Sequence, residues 1–150
     1  MNVTTFFENN LKVILPELFL LLAVSTLLLV GVQYSTSEKH GYPVVVKPTA
    51  WMAAFSSFLG FLLVLNNPFS STLLFSNLLV HDPFTNLAKA VLLFTTMSCL
   101  LVSFSYIKNN KVHAFEFSLL MLFSIVGSMV VVSSFDLLTL YLGIEMSSLC

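Results

Sequence analysis

Charge is spaced along this chain so that long stretches carry none. Residues 18–37 contain no Asp, Glu, Lys or Arg, and 34 consecutive uncharged residues separate Lys47 from Asp82. A third uncharged run extends from Ala90 to Ile107. A helix that crosses the ~30 Å hydrocarbon core of a bilayer needs about 20 predominantly apolar residues. Runs of this length suit such a core. Only 9% of the 150 residues are charged, against about 25% in a soluble domain, and mean hydropathy is +0.96. The chain is therefore read as all-α, a polytopic transmembrane helical bundle.

Proline, glycine and polar clusters divide the runs. One membrane domain over residues 1–150 is expected, with spans near 11–32, 50–65, 84–106 and 114–132, and an incomplete one at 134–150. Pro16 and Glu17 are read as the opening of the first span. Proline costs nothing in a first helical turn, and an acid there meets the positive end of the dipole. Residues 33–49, with Gly41, Pro43 and Pro48, read as a loop. Asn66, Asn67 and Pro68 end the second span. The apolar pieces of residues 69–82 are too short to cross, so they read as a hairpin or surface segment returning to the same side. Lys89 lies near the start of the third span and is expected to snorkel to the interface, with a place in a buried ion path as the sharper reading.

Residues 107–113 form a short basic loop, and Ser124, Gly127 and Ser128 offer a small face for close helix packing in the fourth span. Ser133 or Ser134 is the expected N-cap of the fifth. That last segment, 17 residues or about 25 Å at 1.5 Å per residue, falls short of a crossing. The expectation is that the chain is one piece of a longer protein, or that another chain continues the bundle. Basic residues in both 33–49 and 107–113 would place those loops on the matrix or cytoplasmic side. The first ten residues match neither a signal peptide nor an Arg-rich transit peptide.

Acids within membrane helices are expensive and need a reason. Glu145 lies in mid-helix, where capping cannot explain it, and is the strongest candidate for function. Hydrocarbon favours the neutral carboxyl and an adjacent ammonium favours the carboxylate. A glutamate that meets and leaves a lysine therefore loads and releases a proton. Tyr141 and Ser148 share its helix face and could donate hydrogen bonds or hold water. No lysine is near Glu145 in sequence, so the partner is Lys89 or lies outside the chain. Asp136 and Glu116 are first-turn acids, for which capping and dipole matching serve as well as function.

Other chemistry lacks a signature. The net charge is -1 with no basic block, so nucleic acid is not an expected partner. Cys99 and Cys150 do not suggest a disulfide framework or metal cluster, and His40, His81 and His113 each stand alone. There is no phosphate loop, HExxH or nucleophile elbow, so no cofactor or metal is expected to bind this chain.

The end of the chain resembles subunit 2 of respiratory NADH:ubiquinone oxidoreductase. The matching residues are Phe115-Glu116-Phe117, the Ser128–Met129 region, Asp136-Leu137-Leu138, Tyr141-Leu142-Gly143-Ile144-Glu145 and Ser148-Leu149-Cys150. The LPELF of residues 15–19 and Tyr34-Ser35-Thr36-Ser37 look like the plant mitochondrial form. The resemblance implies the N-terminal part of an antiporter-like proton channel subunit in the membrane arm of complex I, multi-pass in the inner mitochondrial membrane. Glu145 would be the glutamate that pairs with a lysine of a later helix and translocates protons. Other subunits would handle NADH, FMN, iron–sulfur clusters and ubiquinone.

Because the later helices and that lysine are missing, a second polypeptide carrying them is an expected partner, alongside the other membrane-arm subunits and lipid. Two other readings stand beside this one. The chain could be a purely structural membrane subunit in which Glu145 locks helices, or a piece of an unrelated cation/proton antiporter.

Overall fold

The computed structural model describes residues 3–35, 42–67, 72–74, 78–110 and 116–150. Five helices and one two-stranded ribbon follow in chain order: α1 (Val3–Ser35), α2 (Tyr42–Leu65), β1 (Thr72–Leu74), β2 (Leu79–His81), α3 (Pro83–Asn110), α4 (Glu116–Ser133) and α5 (Leu137–Ser148). The first four helices each contain a segment long and apolar enough to cross a membrane: Val13–Gln33, Pro48–Leu65, Pro83–Ser103 and Glu116–Ser133. The all-α architecture is that of a polytopic helical bundle. The membrane orientation rests on the basic loops 33–49 and 107–113, of which residues 36–41 and 111–113 lie outside the described residues.

Several boundaries differ from the sequence reading. Helix α1 begins at Val3, so Pro16 lies well inside it rather than in its first turn. Glu17 is accordingly not a dipole-matching residue at a helix start. Helix α2 begins at Tyr42, which makes the second half of the expected loop helical, with Pro48 inside the helix. Pro43 falls in its first turn, where no backbone bond is lost. Membrane helices tolerate interior prolines because neighbouring helices shield and re-satisfy the freed carbonyl. Helix α3 continues to Asn110, through the first residues of the expected basic loop.

Between α2 and α3 the chain forms the hairpin expected of that stretch. β1 and β2 pair antiparallel, with Thr72 opposite His81 and Leu74 opposite Leu79. The ribbon also holds the corner between α4 and α5. Leu79 bridges Ser134, the backbone N–H of Phe135 donates to the Leu78 carbonyl at 3.1 Å, and the Thr139 hydroxyl reaches the same carbonyl at 3.3 Å. This ties the start of α5 to the segment leading into α3.

Two apolar clusters form the core. One joins Val24 and Leu27 of α1, Ala53 and Ala54 of α2, Leu100 of α3, and Leu119 and Leu122 of α4. The other joins Leu20, Val64 and Leu93 to Ile125, Val126 and Met129. Much of the remaining apolar surface is exposed, including Leu22 and Leu29 on α1 and Phe94 and Val102 on α3. Outward-facing leucines of this kind suit lipid rather than water.

Candidate functional site

Apart from Glu116 at the start of α4, the charged residues of the apolar segments and of α5 fall at two places. The first lies between α1 and α3, across the interior of the bundle. Leu20 and Leu93 are fully buried in the core, and residues three or four positions along a helix share its face. The face that buries Leu20 therefore carries Glu17, and the face that buries Leu93 carries Lys89. An unpaired charge in such a place costs several kcal/mol. Here the Lys89 ammonium donates to Glu17 Oε1, forming a buried salt bridge. The residues are 4% and 9% exposed. Lys89 does not snorkel: the acid that meets it across the bundle interior gives it a closer partner than the headgroups.

The pair is incompletely satisfied. Glu17 Oε2 is buried with no hydrogen-bond partner, and so is Asn86 Oδ1. Asn86 stands one turn before Lys89 on the same face of α3. Pro16, next to Glu17, is also fully buried.

A cavity of about 220 Å³ lies between α3 and α4, lined by Leu92, Thr95, Thr96, Ser124 and Ser128, among others. The three hydroxyls of Thr95, Thr96 and Ser128 donate to carbonyls of their own helices at 2.7–3.0 Å. Their lone pairs remain to accept from water. Leu92 is one turn along α3 from Lys89.

The second place is α5. Asp136 is its N-cap: the side chain accepts from the Leu137 N–H at 2.9 Å. This replaces the expected cap at Ser133 or Ser134, whose hydroxyls bond back to Met129 and Val131 carbonyls at the end of α4. Glu116 is the first residue of α4 and exposed. Capping and the helix start thus account for the positions of both acids.

Glu145 lies in the last turn of α5 rather than in mid-helix, its carbonyl accepting from the Leu149 N–H at 3.0 Å; it is exposed, as are Tyr141 and Ser148. The Ser148 hydroxyl donates to the backbone carbonyl of Glu145 at 3.1 Å, not to its carboxylate. Gly143, Met146 and Ser147 turn towards α4, which leaves the Glu145 side chain off that contact. Lys89, held by Glu17, is not brought to Glu145.

Glu17 is the residue that sequence reasoning missed as a site. Alternate spans of a bundle run in the same direction, so equal distances from their starts mean equal depth. Glu17 and Lys89 lie at nearly the same distance into the first and third expected spans, with opposite charges. That match of depth and sign was the available signal. Among the described residues no cluster of three or more His, Cys, Asp or Glu could hold a metal ion.

Comparison with known proteins places this geometry. The chain is 36% identical over 145 residues to NADH-ubiquinone oxidoreductase chain 2 of Marchantia polymorpha, covering 96% of this chain and 30% of that protein. The chain is homologous to the chain 2 and subunit N proteins. The Arabidopsis thaliana chain 2 is 33% identical, over 95% of this chain and 29% of its own length. NADH-quinone oxidoreductase subunit N of Pelagibacter ubique is 33% identical, over 94% and 28%. The chain thus spans about a third of the length of the relatives it matches. No family model matches it. The homology and the four apolar helices make it a multi-pass membrane protein.

Proposed function

We propose that this chain forms the N-terminal portion of a proton-translocating membrane-arm subunit of NADH:ubiquinone oxidoreductase, of the plant mitochondrial kind, in the inner mitochondrial membrane. The observation that carries the reading is the match to chain 2 across 96% of the chain; the assignment of Glu145 within it follows from the resemblance of the YLGIE at residues 141–145. The chain's part in the enzyme is proton movement. NADH, flavin, iron–sulfur centres and quinone are left to other subunits.

In this reading Glu145 is the proton-loading carboxylate. It stands on α5 but off the α4 contact, so a lysine from a helix beyond these five can approach it. When the ammonium is close, the carboxylate is stabilised and its proton is released. When the ammonium withdraws, hydrocarbon favours the protonated acid and a proton is taken up. Tyr141 and Ser148 line the same side of α5 and are placed to order water there. Helices corresponding to the rest of the relatives' length complete the subunit beside the other membrane-arm subunits and lipid.

The experiment is native purification from mitochondrial membranes, followed by mass spectrometry of every polypeptide that stays with this one. The proposal expects comigration with an NADH-oxidising assembly, one of whose polypeptides supplies the later helices and a membrane lysine. Isolation of the chain apart from any redox partner would overturn it.

A further inference from the structure

We propose that Glu17, Lys89 and Asn86 form a second proton-exchange site, separate from Glu145, in the bundle interior between α1 and α3. This rests on the reading of the chain as part of a proton-translocating subunit. Three observations lead to it.

First, the ion pair is not required by packing. A buried pair can usually be replaced by apolar residues of similar volume without loss of stability, and the surroundings here are leucine-rich core. Second, two buried acceptors beside the pair, Glu17 Oε2 and Asn86 Oδ1, lack partners. Buried polar groups are satisfied in native proteins, commonly by water, and water at these atoms is what a proton needs to arrive and leave. The cavity between α3 and α4, beginning one turn from Lys89 at Leu92, has room for several such molecules.

Third, among the residues whose side chains are described, few other charges stand near the pair; on α1 itself, Glu8 and Lys12 precede Glu17. Between Pro48 and Leu65, α2 carries no charged residue, and α4 carries only the exposed Glu116. The nearest titratable groups along α3 and its lead-in are His81, which is buried, and Asp82.

The exchange balances as follows. A hydronium ion gives its proton to Glu17 Oε2, leaving water and a neutral carboxylic acid. Lys89, now a cation without its counter-charge, releases one Nζ proton to a second water, forming hydronium. The acid then passes its proton to the neutral amine, and the carboxylate–ammonium pair is restored. One proton has entered and one has left, with no net change in the pair.

The test uses the assembled enzyme in membrane vesicles and measures protons translocated per NADH oxidised. The variants are Glu17→Gln/Lys89→Met, which removes both charges together, and Asn86→Leu, which keeps the ion pair and the branched side-chain shape while removing the orphan acceptor. Glu145→Gln is run in parallel. The expected result is a lower proton-to-NADH ratio in the assembled double variant and in Asn86→Leu. A parental ratio in Asn86→Leu, or in the double variant once assembled, overturns the site and leaves the pair as a helix lock. These outcomes hold whatever Glu145→Gln does. Parental pumping in Glu145→Gln together with a deficit in the pair variants would remove only the role given to Glu145.

Discussion

Gly127 and Gly143 bring the backbones of α4 and α5 into direct contact. A Cβ built on Gly127 would stand 2.8 Å from the Ser147 backbone nitrogen and 3.1 Å from the Gly143 carbonyl oxygen. One built on Gly143 would stand 3.0 Å from the Val131 nitrogen and 3.2 Å from the Gly127 oxygen. Helix association in lipid lacks the hydrophobic drive it has in water and relies on close packing at small residues. The glycines allow that approach, and it fixes the face that α5, and so Glu145, presents outward.

Alanine at either position should push the helices apart, because the atoms met are backbone and cannot swing away. Gly127→Ala is expected to cost about 1–3 kcal/mol, the usual range for overpacking a filled contact. Thermal unfolding in detergent, followed by circular dichroism, measures it. Gly60→Ala provides a milder comparison, because the Cβ would first meet the flexible Leu20 side chain at 3.3 Å. An equal loss at Gly60 and Gly127 would contradict the backbone-contact argument.

The Glu17–Lys89 pair predicts strong non-additivity. Glu17→Gln alone leaves a buried ammonium without its counter-charge, as Lys89→Met alone leaves a carboxylate. Breaking a buried pair from one side costs about 3–5 kcal/mol, while replacing both partners is often near neutral. The double variant should therefore be more stable than either single variant, as read from the same unfolding midpoints. Additive losses would mean that the two side chains do not interact in the native protein.

Asp136 separates a cap from a proton site. Its carboxylate accepts from the Leu137 N–H, a task that asparagine can perform and alanine cannot. Asp136→Ala should lower stability by about 0.5–2 kcal/mol, while Asp136→Asn should stay close to the parent. Proton translocation in assembled Asp136→Asn should match the parent, because the substitution removes the titratable group and keeps the cap. A pumping defect in that variant would return Asp136 to the site.

The bundle could be read from the spacing of charges because a membrane helix announces itself by length and apolarity alone. The hairpin of residues 72–81 was legible for the converse reason: its apolar pieces are too short to cross. Boundaries set by proline were less legible. Pro16 and Pro48 look like starts in a single sequence, yet within a bundle, neighbours can shield the carbonyls that they free. Pairing across helices was least visible. Lys89 was read as snorkelling because it lies near the start of its span, and its partner Glu17 is 72 residues away. The fifth-helix cap was misplaced by a few residues because Ser133, Ser134 and Asp136 are all competent, and the ribbon contact at Ser134 decides among them.

Glu145 carries the remaining prediction. Its side chain is not needed by the five helices: it is exposed, and the nearby Ser148 hydroxyl uses the Glu145 backbone carbonyl instead. Neutralising it should therefore leave the fold of this chain intact, with Glu145→Gln unfolding at the parental midpoint. In the assembled enzyme the same change should lower protons translocated per NADH oxidised, because an amide cannot take up and release the proton. Glu145→Asp keeps a carboxylate on a shorter arm and should retain more translocation than the glutamine variant. If Glu145→Gln assembles and pumps as the parent does, the carboxylate is a packing group and not the site of proton loading. If it destabilises the isolated helices, then the glutamate makes a contact within this chain that its exposed position on α5 does not provide.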